Sequence, residues 1–211
     1  MVQALKADAF LTSLDSLIRP ICTKLQLPLS SHEIVDSRYQ AVGEWLDECA
    51  TLSKYKLRIF PQGSYAIGTT VRPYDKNEFD LDFVLLLQEN YHSIEPILLL
   101  NTVESRLLYH GKYANMIERK NRCIRITYAN DFHMDILPAI PDNLGHSGYL
   151  SVPDGKAQDW KPSCPEGFRD WFNFNPQVNL DFRQQAPLPN YQTLEEKSTL
   201  QCNKALPCRF G

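Results

Sequence analysis

The sequence predicts an α+β domain in which two helices precede the first strand. Three observations support this class. Apolar residues recur at helical spacing up to about residue 52, strand-like runs follow between residues 56 and 137, and the strongest of these runs is residues 79–87. With 43% hydrophobic and 22% charged residues among 211, the composition is that of a globular protein with a packed core.

The N-terminal part, residues 1–54, is expected to form helices that pack on the core. Apolar residues recur at helical spacing over residues 4–18, and Pro20 is expected to close this first helix. A second helix is predicted from about residue 30 towards residue 52, because Ser30 and Ser31 precede an apolar helical pattern.

Residues 55–140 are expected to form the central unit of the fold. A short strand at residues 56–60 ends in the turn signal Pro61-Gln62-Gly63-Ser64. In the strand at residues 79–87, apolar side chains alternate with two aspartates before the pattern becomes apolar throughout. The remaining predicted elements are a helix at residues 94–109 and strands at residues 123–128 and 132–137, which a tight hairpin joins.

The last part of the chain, residues 141–211, is interpreted as a crossing segment followed by the start of another lobe. From residue 138 to about 190 the sequence is rich in Pro, Gly, Asp, Asn and Ser, with scattered aromatics such as Trp160 and Trp171. This composition indicates a long, partly ordered segment that its aromatic side chains anchor by packing.

Charge and cysteine content exclude several classes of function. A formal charge of -3 gives no chain-wide attraction to a polyanion, so no stable nucleic-acid partner is expected. The basic cluster at residues 119–122 is interpreted as a solvated turn, with guidance of triphosphates as the alternative. Six cysteines without a C-x-x-C pair indicate neither zinc nor disulfides, and no apolar run is long enough for a membrane span, so a cytoplasmic protein is expected.

Three aspartates are the candidate metal ligands. Asp80 and Asp82 stand at i and i+2 on a strand, so both point to one face about 7 Å apart along the chain. Asp135 alternates with Phe132, Met134 and Ile136 on a later strand and therefore also projects away from the buried face. Carboxylate oxygens are the ligands that Mg²⁺ prefers, and such a set suits phosphoryl or nucleotidyl transfer.

The turn before the first aspartate is the candidate phosphate-binding element. Gly63 lets the backbone approach phosphate oxygens closely, and the Ser64 hydroxyl is a hydrogen-bond donor. Each feature alone is common, but a strand, a Gly-Ser turn, Asp-x-Asp on a buried strand and a third Asp on a later strand rarely occur together in this order. The order favours a nucleotide-binding metal site. His133 shares the face of Asp135 and is interpreted as peripheral.

These segments resemble the bacterial CD-NTases, the cyclic-oligonucleotide synthases related to cyclic GMP-AMP synthase, within the polymerase-beta-like nucleotidyltransferases. The resemblance rests on FPQGSYAIGTTVRP, EFDLDFVLLL and FHMDILPAIP, and it continues through GYLSVPDGKAQDW and PEGFRDWFN. It implies a mixed sheet backed by a long N-terminal spine helix, with residues 55–140 as the catalytic core and Gly63-Ser64 on the triphosphate.

The resemblance also implies an activity and partners. The expected enzyme uses Mg²⁺ or Mn²⁺, held by Asp80, Asp82 and Asp135, to join ATP, GTP, CTP or UTP into a cyclic di- or trinucleotide. Its product would activate a separate downstream effector in bacterial antiphage signalling.

The sequence departs from the family pattern near residue 202, where a C-terminal helical lobe is expected and Pro207 stands in place of a helix interior. That lobe is therefore expected to be largely missing. Two alternatives to the synthase stay open at this point. One is another polymerase-beta-like nucleotidyltransferase, of the toxin type, that modifies a protein or tRNA; the other is a truncated, non-catalytic nucleotide-binding fragment.

Overall fold

The computed structural model describes residues 2–73, 78–129, 131–142 and 148–174. Helices and strands follow one another in an α+β order, as the sequence predicts. The helices are α1 (Val2–Leu25), α2 (Leu29–Asp47), α3 (Ala50–Ser53), α4 (Gly63–Ala66), α5 (Pro96–Tyr109) and α6 (Pro165–Phe174). The strands are β1 (Leu57–Gln62), β2 (Phe79–Leu87), β3 (Ile117–Arg119), β4 (Ile124–Tyr128), β5 (Phe132–Pro141), β6 (Leu150–Asp154) and β7 (Asp159–Ser163).

The described strands form one mixed sheet with the order β1-β2-β5-β4-β3, and β6 and β7 continue from the end of β5. Strands β2 and β5 run parallel, whereas β1 pairs with β2, and β4 with β5, in antiparallel register. A parallel pair needs a crossover connection, and here the chain between β2 and β5 contains α5. The central parallel pair is the part of the sheet that carries the candidate ligands.

Helix α2 packs behind the sheet and is the predicted spine. Its buried stripe consists of Val35, Val42 and Leu46, and the Tyr39 ring stacks on Phe83 of β2 with ring centroids 4.6 Å apart. Burial of each such aliphatic side chain contributes about 1.5–3 kcal/mol. The stripe therefore fixes α2 against the strand on which the aspartates lie.

The two faces of β2 differ, which explains where the aspartates point. Alternate residues from Phe79 to Leu87 enter the main core with α2 and α5. On the other face, Val84 and Leu86 pack in a smaller cluster with Leu150 and Val152 of β6. That cluster covers only the second half of β2, so Asp80 and Asp82 occupy the part of the face that is not packed with apolar side chains.

One prediction of local structure is wrong. Pro20 does not close the first helix, because α1 continues to Leu25 with the proline inside it; the residues on both sides favour a helix, and the chain loses a local hydrogen bond rather than the whole element. The described apolar side chains of α1, among them Phe10, Leu17 and Ile21, are exposed. None of the helices among the described residues is long and apolar enough to cross a membrane.

Residues 148–174 form a regular hairpin and helix within the segment that the sequence predicts to be partly ordered. Pro153 lies on β6 and Pro162 on β7. Strand β7 is the outer strand of the hairpin, where a missing N–H is tolerated. Trp160 packs against the main core, as an anchoring aromatic should. Arg58 of β1 donates to both carboxylate oxygens of Glu166, at 3.0 and 2.8 Å, and so ties α6 to the sheet. The expected start of a C-terminal lobe lies outside the described residues, and the three-part division remains a prediction.

Candidate active site

The register between β2 and β5 places the candidate ligands on one face. Asp82 lies opposite Asp135, and Asp80 lies opposite His133. Residues paired in register point to the same side of a sheet, so all three carboxylates share a face. The side chain of Asp80 is 63% exposed and that of Asp135 only 14%. Asp80 therefore lies at the open rim of the site and Asp135 deeper in it.

Gly63 lies directly against the Asp82 carboxylate. Strand β1 ends at Gln62, whose register partner is Asp82, and Gly63 follows with φ +61°. A Cβ atom at this position would lie 2.8 Å from Asp82 Oδ2. Since L-residues pay about 1–2 kcal/mol for this conformation and the Cβ would also displace the carboxylate, both backbone and space require glycine.

Ser64 is held by the loop that follows it. Its hydroxyl forms a hydrogen bond with Thr70 Oγ1 at 3.0 Å, and its carbonyl accepts from the Thr69 backbone N–H at 2.9 Å. The side chain is half-buried. The loop therefore fixes the orientation of the turn beside the carboxylates while Gly63 stays exposed.

Tyr65 anchors the Gly63-Ser64 turn to α2. Its side chain is 3% exposed, its hydroxyl donates to Asp36 Oδ1 at 3.3 Å, and His32 Nδ1 lies 3.2 Å from the same hydroxyl. Burial raises the pKa of Asp36, against the opposing effect of the Tyr65 hydrogen bond. The spine helix thus positions the turn as well as the strands.

Asp82 carries the uncompensated charge of the site. Burial raises its pKa to about 6, and the neighbouring carboxylates of Asp135 and Asp80 add to this effect. The guanidinium of Arg125 acts in the opposite direction but does not outweigh them. A carboxylate whose pKa is raised in this way is the one that a bound cation stabilises most.

Arg125 is a site residue that the sequence analysis missed. It lies on β4 directly opposite Asp135 and donates hydrogen bonds to both oxygens of that carboxylate, from Nε at 2.7 Å and from a terminal nitrogen at 2.8 Å. The terminal nitrogen is also 3.3 Å from Asp80 Oδ1. Counting outward from the hairpin, in which Tyr128 pairs with Phe132, identifies the partner of Asp135 as residue 125.

The carboxylates do not form a complete set of metal ligands in this arrangement. Within the described ranges, no three His, Cys, Asp or Glu side chains converge in that way. Both Asp135 and Asp80 contact Arg125 instead. The donor chemistry nevertheless fits a hard divalent cation such as Mg²⁺ or Mn²⁺. Three carboxylates against one guanidinium leave two negative charges to be balanced.

Two groups near the carboxylates add to the polar character of the site. His133 Nε2 lies 2.9 Å from Glu78 Oε2, so the Glu78 carboxylate is in contact with the imidazole ring. Burial raises the pKa of the Cys123 thiol to about 12, and the adjacent Asp135 carboxylate adds to this effect. Cys123 is therefore a neutral neighbour of the site at ordinary pH.

The basic cluster at residues 119–122 has structural partners. Arg119 pairs with Glu104 at 2.7 Å, and Arg122 pairs with the buried Asp154 at 2.8 Å. Asn121 donates to the same carboxylate at 3.0 Å. The cluster joins β3 to α5 and the β3–β4 turn to the β6–β7 hairpin, so it is neither a free solvated turn nor a free basic patch.

The fold and the site define the class of the protein. A mixed sheet whose parallel central strands carry Asp80, Asp82 and Asp135 on one face, beside a Gly-Ser turn, is the core of polymerase-beta-like nucleotidyltransferases. The sequence matches the Second Messenger Oligonucleotide or Dinucleotide Synthetase domain over residues 13–175. The chain belongs to this family, and its resemblance to the CD-NTases is confirmed.

Similar proteins cover most of this chain but are themselves much longer. The c-di-GMP synthase of Roseivirga ehrenbergii is 33% identical over 165 residues, which is 76% of this chain and 43% of the relative. The CD-NTase CdnG of Bradyrhizobium diazoefficiens, solved in complex with GTP, has a TM-score of 0.63 at 26% identity and covers 75% of this chain and 46% of its own. Escherichia coli DncV, in its 3'-deoxy GTP bound form, shares the fold with a TM-score of 0.58 at 21% identity, over 72% and 58% of the two chains. The chain spans less than half the length of the first two.

Proposed function

We propose that this chain carries the catalytic half of a nucleotidyltransferase that joins nucleoside triphosphates into a cyclic di- or trinucleotide. The observation that carries the proposal is the shared face of Asp80, Asp82 and Asp135 with the glycine of a Gly-Ser turn against one of them. Support also comes from the relatives, which are named as a c-di-GMP synthase and a cyclic dinucleotide synthase.

Each proposed site residue has a role that follows from its position. Asp80, Asp82 and Asp135 would hold Mg²⁺ or Mn²⁺, which neutralises triphosphate charge and favours attack at phosphorus. Gly63 allows the backbone to approach the triphosphate, and Ser64 donates its hydroxyl to a phosphate oxygen. Asp135 is much less exposed than Asp80 and is the proposed acceptor for the proton of the attacking hydroxyl.

The proposed reaction is a displacement repeated until the ring closes. A ribose hydroxyl oxygen of one nucleotide attacks the α-phosphorus of another. A new phosphorus–oxygen bond forms, the bond to the bridging oxygen breaks, and pyrophosphate leaves with that electron pair while the hydroxyl proton passes to the base. GTP is the first substrate to test, because one relative is named for c-di-GMP and another was solved with GTP; ATP, CTP and UTP complete the set.

The biological setting is part of the same proposal. A cyclic nucleotide released in the cytoplasm would activate a separate effector protein, and the enzyme would serve bacterial antiphage signalling. Bacteria that express the effector with the wild-type gene should survive phage infection as a population, whereas those with a variant lacking Asp80 and Asp82 should not.

The direct test is product analysis. The purified chain is incubated with labelled GTP, ATP, CTP and UTP in Mg²⁺ or Mn²⁺, and phosphatase-resistant products are identified by mass spectrometry. The Asp80→Ala, Asp82→Ala double variant should lose the product. A matched double variant, Asp15→Ala with Asp170→Ala, removes two carboxylates from exposed positions on α1 and α6 and should retain it.

Three results would contradict the synthase. Label transferred to a protein or to tRNA would identify a modifying nucleotidyltransferase instead. Nucleotide binding without any product would identify a non-catalytic fragment. A product that survives in the Asp80→Ala, Asp82→Ala variant would refute the assignment of the carboxylates.

A further inference from the structure

The guanidinium of Arg125 joins two carboxylates in different ways. It forms hydrogen bonds with both oxygens of Asp135, at 2.7 and 2.8 Å, whereas its contact with Asp80 is longer, 3.3 Å to Oδ1. The Asp135 side chain is 14% exposed, whereas that of Asp80 is 63% exposed. A buried, two-point contact is strong and fixes orientation, while an exposed single contact is weak. The two contacts should therefore break at very different cost.

The grip on Asp135 does not prevent this carboxylate from binding a cation. A carboxylate offers about four lone-pair sites, and a two-point arginine contact occupies only two of them. Arg125 also lies directly opposite Asp135 in the β4–β5 register, so the backbone holds the pair together. Asp135 can thus stay oriented by Arg125 while its remaining lone pairs face the site.

The contact with Asp80 is different, because it competes with metal binding. Asp80 and Asp82 lie two residues apart on β2, and both must turn towards a shared cation. In this structure the Asp80 carboxylate points to Arg125 instead. The full positive charge of Arg125 also opposes any cation placed among these carboxylates.

We propose that Arg125 is a positioning residue that keeps Asp135 oriented throughout and releases Asp80 when the site takes up a divalent cation. This inference rests on the proposed metal-dependent function. It assigns two separable effects to one side chain: the charge of Arg125 sets how much cation is needed, and its planar fork sets how well Asp135 is placed. Lysine retains the first property and lacks the second.

Two substitutions separate charge from geometry. Arg125→Gln removes the charge, and we expect it to bind the first Mn²⁺ about 10-fold more tightly while product formation at saturating Mn²⁺ falls about 10- to 100-fold. Arg125→Lys keeps the charge, so its Mn²⁺ affinity should stay within about threefold of wild type, while its maximal rate also falls about 10-fold or more because a lysine cannot hold both Asp135 oxygens.

The measurement is a titration of the nucleotide-free chain with Mn²⁺, followed by electron paramagnetic resonance of free Mn²⁺, beside steady-state product assays. Arg119→Gln is the matched control, since it removes the same charge from a residue outside the site. Arg119 lies on β3, which β4 separates from β5, and pairs with Glu104. Its Mn²⁺ affinity should equal that of wild type. Thermal unfolding of each variant verifies that it is folded before titration.

The outcomes distinguish this inference from the function on which it rests. If the wild-type chain binds no Mn²⁺ at millimolar concentration, the metal site fails and the inference falls with it. If wild type binds Mn²⁺ but Arg125→Gln binds it equally or more weakly, only the release of Asp80 is overturned. Should Arg125→Gln not fold, Arg125→Lys still decides, because an unchanged maximal rate would overturn the positioning role.

Discussion

A buried carboxylate in the β6–β7 hairpin and a half-buried one in the candidate active site have opposite surroundings. Asp154 is 5% exposed and accepts hydrogen bonds from Asn121, Arg122 and the backbone N–H of Ala157. The Ala157 N–H, together with Asn121 and Arg122, holds the pKa of Asp154 well below its usual range. At Asp82, burial and two neighbouring carboxylates raise the pKa to about 6.

The difference separates a carboxylate that serves the fold from one that serves a ligand. Donors that surround Asp154 stabilise its charge within the chain itself, so the group locks the turn between β6 and β7. Asp82 gains no comparable stabilisation, and its charge stays available for an external cation. Sites that bind ligands commonly keep such unfavourable charges at a cost in stability.

The largest expected effect follows from Asp82→Asn. The variant keeps the shape of the side chain but removes its charge, so product formation should fall more than about 100-fold, since loss of a group that merely supports a ligand already costs 10- to 100-fold. The fold should become more stable by about 1 kcal/mol at pH 7, a value reduced for partial solvent screening. Product assays and thermal unfolding of the same preparation test both parts. Lower stability would show that Asp82 is compensated after all.

Asp154→Asn should give the opposite pair of results. An amide in place of the carboxylate weakens several hydrogen bonds at once, because it carries no charge and places its own N–H group against one of the donors. The melting temperature should therefore fall. Metal affinity should stay unchanged in whatever fraction is folded. Asn121→Ala removes one of the donors and should lower the melting temperature less. A variant as stable as wild type would show that the Asp154 carboxylate does not stabilise the fold.

The sequence alone was sufficient to identify Asp80 and Asp82 as candidate site residues. Asp80 and Asp82 could be assigned because strand alternation has a period of two residues, and both the face and the buried end of β2 are visible in nine consecutive residues. The pairing of Asp135 with Asp82 required the parallel register of β2 and β5, which no local pattern specifies. The order of the motifs supplied it only through the family resemblance.

The surroundings of Asp154 could not be predicted from the sequence, and the reason is a different one. Residues 148–174 contain prolines and glycines within a regular hairpin and helix, so their composition resembles that of an irregular segment. The role of Arg122 and Asn121 depends on Asp154, more than 30 residues away in the sequence. Contacts of this kind are set by tertiary packing and leave no periodic signal.

Two glycines, one beside Asp82 and one beside Asp154, allow the same comparison with smaller expected effects. Gly63→Ala would place its Cβ 2.8 Å from Asp82 Oδ2 at φ +61°, which should cost about 1–2 kcal/mol and lower product formation at least about 10-fold. Gly155→Ala would place its Cβ 3.0 Å from the Asn121 carbonyl oxygen, beside Asp154. It should cost about 1 kcal/mol or more through overpacking and leave metal affinity unchanged.

Unfolding free energies and Mn²⁺ titrations of the two glycine variants check this pair. The decisive quantity is metal affinity, which should weaken for Gly63→Ala and not for Gly155→Ala. Equal metal affinities in both variants would show that the Gly63 turn does not control the position of Asp82.

The smallest expected effect is a pH dependence of stability in metal-free buffer. Asp82 binds its proton more tightly in the folded chain than in the unfolded chain, because its pKa rises from 3.8 to about 6. The folded state therefore holds more protons between these values, and the contribution of Asp82 to stability falls as pH rises from about 4 to about 6. The contribution should level off about one pH unit above the folded-state pKa.

The measurement compares wild type with Asp82→Asn by chemical unfolding at several pH values, with a chelator present. The difference in unfolding free energy between the two chains should grow in favour of the variant by about 1 kcal/mol across this window and then level off. Acidic groups such as Asp154, whose pKa is lowered, act with the opposite sign at lower pH and cancel in the difference. A flat difference would mean that burial and the neighbouring carboxylates do not raise the pKa of Asp82, and the contrast between the two regions would then rest on geometry alone.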